Sequence, residues 1–326
     1  MTWLVWRQHR AQFFVGAALL AAFAVLIVIT GVQVANQYHA AQMACAAGQG
    51  CRQLGGLFLG SHAVGFLVIS TLGAPVLVGL FYGAPLVAAE AEAGTTQFAW
   101  MQSVTRRRWL AVKIGWMLLA AAVWGGVISV LVTWWSGPNN AEQLNAFDPG
   151  RFDLMGLVPV AYSLFAMALG IAAGALVRRV LPAIAVTLAG FIAVRAVVTL
   201  WLRPHYMGAV TVFYKVTSGV TPPGSFWRIA SGIVGPNGQA IDQNTNGAVF
   251  DGIPVNYLPA SCTAPLRGAV TPPPSCAQAL AHFRGFLTYQ PADRYWAFQG
   301  IETGIFLVLA AALVAVTAAV LLRRDA

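Results

Sequence analysis

The sequence predicts an all-α polytopic membrane protein with six transmembrane helices. Both termini are expected in the cytoplasm, with a small disulfide-stapled external domain between helices 5 and 6. Three observations predict this. The 326-residue chain is 58% hydrophobic and only 9% charged, with 11 Trp and 18 Phe, so a water-soluble fold would leave too much apolar surface in water. Six apolar segments reach the roughly 20 residues needed to cross a hydrocarbon core about 30 Å thick. The basic residues collect at alternate ends of those segments, as the positive-inside rule requires of one membrane face.

The segments are 13–34, 57–82, 110–135, 154–177, 181–202 and 297–322. Helices and closed barrels alone satisfy the backbone in lipid, and barrel strands would be shorter and alternating. Arg7 and Arg10 precede the first span, Arg106, Arg107, Arg108 and Lys113 follow the second, Arg178 and Arg179 the fourth, and Arg323 and Arg324 the sixth. This placement, rather than nucleic acid, accounts for the net charge of +9. The first span is expected to stay as an anchored helix, its apolar core being longer than that of a cleaved signal peptide.

Residues 1–12 place Trp3 and Trp6 one turn apart, and Arg7 and Arg10 one turn apart on another face. That pattern fits an interfacial helix at the cytoplasmic surface, or simply a charged flank that sets orientation. Residues 13–202 hold spans one to five, and 297–326 the sixth span and a cytoplasmic tail. Ser136 to Asp153 is a short external loop with a turn signal at Gly137-Pro138-Asn139-Asn140. Residues 203–296 are too long for a simple connector and form the external domain. There, 210–216 reads as a strand and 276–287 as a short amphipathic helix. Cys45 and Cys51 fall in the first external loop, Cys262 and Cys276 in the last. Local pairs Cys45–Cys51 and Cys262–Cys276 are the economical arrangement in an oxidising compartment, although four cysteines allow three connectivities.

Two ionisable residues fall inside spans. Arg195 and Glu302 lie about 7–11 Å below the external surface on consecutive helices, at 1.5 Å per residue. A charge in lipid needs a partner, so an Arg195–Glu302 ion pair joining the two helices is expected. Pro75 and Pro159 are candidate kinks, and Gly170 with Gly174 a close-packing face. The chain has no phosphate-binding loop, zinc-protease motif, nucleophile elbow or His/Cys metal cluster, so no catalytic centre is expected.

The polar island from Glu90 to Trp109 is the place where a soluble partner would dock. Glu90 and Glu92 end the second span helix, Gly94 permits a break, and Thr95 to Ser103 offers a second short helix presenting Phe98 and Trp100. Thr105 and Arg106 then lead into the third span.

The run Gly83-Ala-Pro-Leu-Val-Ala-Ala-Glu-Ala-Glu-Ala-Gly-Thr95, followed by Gln102-Ser-Val-Thr-Arg106 and Lys113, resembles the E-x-E-x-G-T…T/S-R…K pattern of ABC-2-type transporter permeases. Trp6-Arg-Gln-His-Arg10 and Tyr289-Gln-Pro-Ala-Asp-Arg-Tyr-Trp296 with Ile301-Glu302 look like an actinobacterial branch of that group. The resemblance implies a permease in a bacterial plasma membrane, paired with a second copy as a homodimer and bound to two copies of a separate ATPase subunit. ATP and Mg would sit in that partner, leaving no cofactor in this chain. Loop 84–109 would hold the coupling helix, with Glu90, Glu92, Gly94, Thr95, Phe98, Trp100, Thr105 and Arg106 as its contact residues. Residues 1–12 would be the connecting helix. The expected activity is export of a hydrophobic or amphipathic molecule: a drug, an antibiotic peptide or a lipid. The competing expectation is a non-transporting sensor or mechanotransmission protein acting through its external domain.

Overall fold

In the computed structural model, six helices are long and apolar enough to cross a membrane. The structure describes residues 2–47, 73–93, 106–140, 147, 149–216, 222, 226–241, 249–250, 253–254 and 274–323. The chain divides into a helical unit, Met1–Arg203 with Trp296–Ala326, and a second unit, Pro204–Tyr295.

Helix α1 runs unbroken from Thr2 to Ala46. Its 45 residues measure about 67 Å at 1.5 Å per residue, roughly twice the hydrocarbon thickness. The separate interfacial helix expected over 1–12 is therefore not a separate element. Residues 2–15 contain no glycine or proline to end a helix, nor do 35–47. For the same reason Cys45 lies in the last turn of α1 and not in a loop. Helix α2, Gly73–Glu92, extends ten residues beyond the expected end at 82, and 57–72 lie outside the described residues. It widens into a π turn at Gly79–Gly83. Helix α3, Arg106–Asn140, absorbs the expected turn at Gly137-Pro138 into its final turns.

Helix α4, Val158–Val177, lies at the centre of the unit, packed by α2, α3 and helix α5, Val180–Val197. Pro159 sits in the first turn of α4, where its missing N–H costs nothing, so it starts the helix instead of kinking it. Arg178 ends α4 in the left-handed conformation, φ 58°. Beyond α5 the chain continues through a second π turn, Val198–Leu202, and a 3-10 turn, Arg203–His205.

Small residues let α2 and α4 meet backbone to backbone. A Cβ added at Gly174 would lie 2.5 Å from the Ala84 carbonyl oxygen. Ala84, Ala88, Ala173 and Ala183 form an alanine seam joining α2, α4 and α5. Gly174→Val should push α2 and α4 apart and cost on the order of 1–3 kcal/mol or more, as overpacking does. Thermal unfolding in detergent reads this, with Gly126→Val as control because a Cβ there meets nothing within 4 Å.

The second unit is a four-stranded antiparallel sheet, so the all-α expectation fails here although the chain is mostly helical. Strands β1 (Val210–Lys215), β2 (Phe226–Val234), β3 (Ala240–Ile241) and β6 (Arg284–Pro291) take the order β1-β6-β2-β3. A two-stranded pair, β4 (Val249–Phe250) and β5 (Ile253–Pro254), stands apart from that sheet. The short helix α6, Pro274–Leu280, packs Cys276 and Leu280 against Ile233, Ile241 and Phe283. The helix expected over 276–287 thus stops at 280, and 284–287 form strand β6, which pairs on both edges with β1 and β2. Neither described cysteine, Cys45 or Cys276, is a free thiol. Cys51 and Cys262 lie outside the described residues. The last helix, α7, spans Tyr295–Arg323.

Candidate functional site

Two polar constellations occupy opposite ends of the helical unit, and α5 reaches both. The first gathers where α2 ends and where α3 and α5 begin. The Lys113 ammonium, 1% exposed, donates to Glu90 Oε1 at 2.6 Å and to the Leu86 carbonyl at 3.2 Å. Glu90 and Lys113 are 23 residues apart, so this bridge ties the last turn of α2 to the first turns of α3. Glu92 Oε2 accepts the backbone N–H of Val180 at 3.2 Å. A carboxylate there meets the unpaired amides and positive dipole end of α5. The two acids therefore have internal partners, and Glu92 remains exposed. Arg106 opens α3. Gly94, Thr95, Phe98, Trp100 and Thr105 lie outside the described residues.

The second constellation is buried where α4 starts and where α5 ends. Arg203 lies at its centre, 1% exposed. Its Nε donates to Glu302 Oε2 at 2.9 Å, and its Nη2 to Glu302 Oε1 at 2.6 Å and Asp153 Oδ1 at 2.5 Å. Arg195 donates to Asp153 Oδ2, also at 2.5 Å. The Tyr162 hydroxyl stands between the two acids, 3.0 Å from Asp153 Oδ1 and hydrogen-bonded to Glu302 Oε1. Two guanidinium groups face two carboxylates, so the cluster is neutral as a whole. Aromatic rings cover the cations, Tyr162 at 4.5 Å from Arg195 and Phe152 at 4.6 Å from Arg203.

The expected single pair of Arg195 with Glu302 is thus corrected to a five-residue network: Arg195 pairs with Asp153, and Glu302 with Arg203. Arg203 and Asp153 were missed because each lies one residue outside a predicted span, where a charge normally reads as solvated. Tyr162 was missed because a lone tyrosine in an apolar run carries no charge signal.

The π turn explains how Arg195 and Arg203 act together. In a regular α-helix eight residues overshoot two turns by about 80°. The wider π turn uses an extra residue, so Arg203 falls back onto the face of Arg195.

Gln299 completes this end of the unit. Its Oε1 accepts the N–H groups of Leu157 and Val158 at 3.0 and 3.1 Å, and its Nε2 donates to the carbonyls of Phe152 and Met155, both at 3.1 Å. One side chain from α7 therefore satisfies the free amides at the start of α4. Gln299→Leu removes the side-chain partner of four backbone groups, three of these bonds being buried, and at about 1–3 kcal/mol for an unsatisfied buried group it should lower stability clearly in detergent unfolding. Among the described residues, no group of three His, Cys, Asp or Glu side chains is placed to hold a metal ion.

The sequence family decides the class of protein to which these two ends belong. A family described as ABC-2 membrane transporter related matches residues 17–203, more than half of the chain. The chain belongs to this ABC-2-related family. It is a multi-pass membrane protein of the permease type. The match runs from residue 17, inside α1, through α5 to Arg203, and takes in the Glu90–Lys113 bridge, Asp153, Tyr162 and Arg195. Glu302 and the second unit lie outside it. No curated protein and no solved structure matches the chain.

Proposed function

We propose that this ABC-2-related chain is the non-catalytic permease subunit of an ATP-driven exporter for a hydrophobic or amphipathic molecule. It works as a homodimer in a bacterial plasma membrane, with ATP and Mg held by two copies of a separate ATPase subunit. The end of the unit with Glu90 and Glu92 faces the cytoplasm, and the Asp153–Arg203 end faces outward, as the basic residues at 106–108 and 178–179 favour.

One observation carries the reading: α5 starts on Glu92 through the Val180 amide and ends in the charge network through Arg195 and Arg203. A push delivered by the ATPase to the loop after Glu92 reaches α3 through Lys113 and α5 through Val180. Movement of α5 along or about its axis would pull on the buried network at the outer end. That network has a small set of well-defined pairings, which suits a switch between two discrete arrangements.

The external unit, stapled in this reading by Cys262–Cys276 and accompanied by Cys45–Cys51, hangs between Arg203 and Trp296. The same transmission supports mechanotransmission to an external partner, and one experiment separates the two. The chain is reconstituted with its ATPase in liposomes containing amphipathic dyes and fluorescent lipid analogues. Export expects ATP-dependent movement of a probe, abolished by Glu92→Arg. Hydrolysis that moves none of the probes overturns export and favours mechanotransmission.

A further inference from the structure

Between α1, α2 and α3 lies a cavity of about 610 Å³, with Val15, Leu19, Leu77, Phe81, Tyr82 and Trp124 among its walls. A second hollow of about 280 Å³ adjoins it, the two sharing Leu20, Val78, Tyr82 and Trp124. The larger one falls in the size range of small-molecule sites. Among the described residues its walls carry no charged side chain, and two polar groups occur among the lining residues. The Tyr82 hydroxyl lies close against Gly16 of α1. The Trp124 indole N–H is itself covered and presents no surface to an occupant. The site therefore favours an apolar occupant, and a hollow lined this way tends to stay dry.

The cavity also opens sideways. Val15, Leu19 and Phe81 are each 60% exposed and Leu77 44% exposed, on helices whose surroundings are hydrocarbon. The π turn at Gly79–Gly83 shapes this mouth by carrying Phe81 and Tyr82 on a widened coil. An apolar pocket open to the side offers itself to a flexible alkyl chain entering from the bilayer.

We propose that this cavity is a lipid site holding one acyl chain of a membrane phospholipid, with the headgroup left outside. The proposal does not rest on the export reading, since it concerns binding in the absence of ATPase and nucleotide. An acyl chain there fills the space beside α2 that any displacement of α2 must change.

The test uses the full chain in nanodiscs containing phosphatidylglycerol with a photoreactive diazirine either at mid-chain or on the headgroup. The mid-chain probe is expected to label residues deep in the cavity, Phe23 and Trp124, well above the lipid-facing Val130, and the headgroup probe is not. Leu19→Trp with Leu77→Trp obstructs the mouth of the cavity with two bulky rings and should strongly reduce that labelling. Leu19→Trp alone, at an exposed position that a folded chain tolerates, should reduce it. Ala18→Trp, exposed on α1 and not a lining residue, should leave it intact. Equal labelling in the double-tryptophan and control variants, or labelling of Trp124 by the headgroup probe, overturns the proposal.

Discussion

Arg203→Met is expected to destabilise the helical unit by about 3–5 kcal/mol, the scale for breaking a buried ion pair from one side. The substitution removes the donor that joins Glu302 to Asp153, and takes from Glu302, 0% exposed, the guanidinium bonds to both of its carboxylate oxygens. Arg195 still holds Asp153 Oδ2, so the damage centres on Glu302. The sign of the second step separates a charge effect from a packing effect. Arg203→Met combined with Glu302→Met removes one charge of each sign and should recover much of the loss, because paired apolar replacements of buried ion pairs are often neutral or better. If packing alone were at stake, the double variant would be at least as unstable as either single one. Unfolding of the purified chain in detergent gives the three values, and the double-mutant cycle gives the coupling.

The π turn at Val198–Leu202 yields the second large effect, with an unusual asymmetry. Insertion of one alanine after Leu200 should rotate Arg203 by about 100° away from Arg195. It should therefore cost about as much as Arg203→Met, and the two changes together should cost little more than either alone. Deletion of Leu200 should be tolerated. It converts the π turn to a regular α turn, in which seven residues return to within about 20° of the starting face. Leu200 is 77% exposed, so its removal loses little packing. Insertion harmless and deletion harmful would contradict the account of how the two arginines are aligned. Both variants are read by the same unfolding assay.

The number and approximate placement of the spans were legible in the sequence, because length and hydropathy decide what can cross a membrane. The chemistry at their ends was only half legible. Arg195 and Glu302 stood out as charges inside apolar runs, yet their true partners sit at 153 and 203, just beyond the predicted boundaries at 154 and 202. A charge ends a hydropathy window whether it is solvated or buried, and only tertiary pairing separates the cases. Gln299 and the π turns gave no signal, since neither a neutral amide nor an i→i+5 turn leaves a sequence signature. Glu90 was read as a group for an external partner. The same local pattern contained Lys113, whose place one turn into an apolar helix could have pointed to an internal ion pair.

The segment 276–287 shows another kind of error. Cys276, Leu280, Phe283 and Leu287 have helical spacing, and all four are buried. The periodicity identified the inward residues correctly, but the backbone changes from helix to strand after Leu280. Hydrophobic spacing reports which side chains face inward and leaves open which hydrogen bonds carry them there. Coupling the acids of α2 to a soluble partner is a further step, resting on the loop that follows Glu92.

Co-purification from native membranes in mild detergent tests the central claim most directly, with wild type beside Glu92→Arg. The expected result is an ATPase subunit travelling with the wild-type chain and lost from a Glu92→Arg chain that keeps its wild-type unfolding temperature. A wild-type chain that purifies without any ATPase, or an ATPase retained equally by both, would contradict coupling through the end of α2.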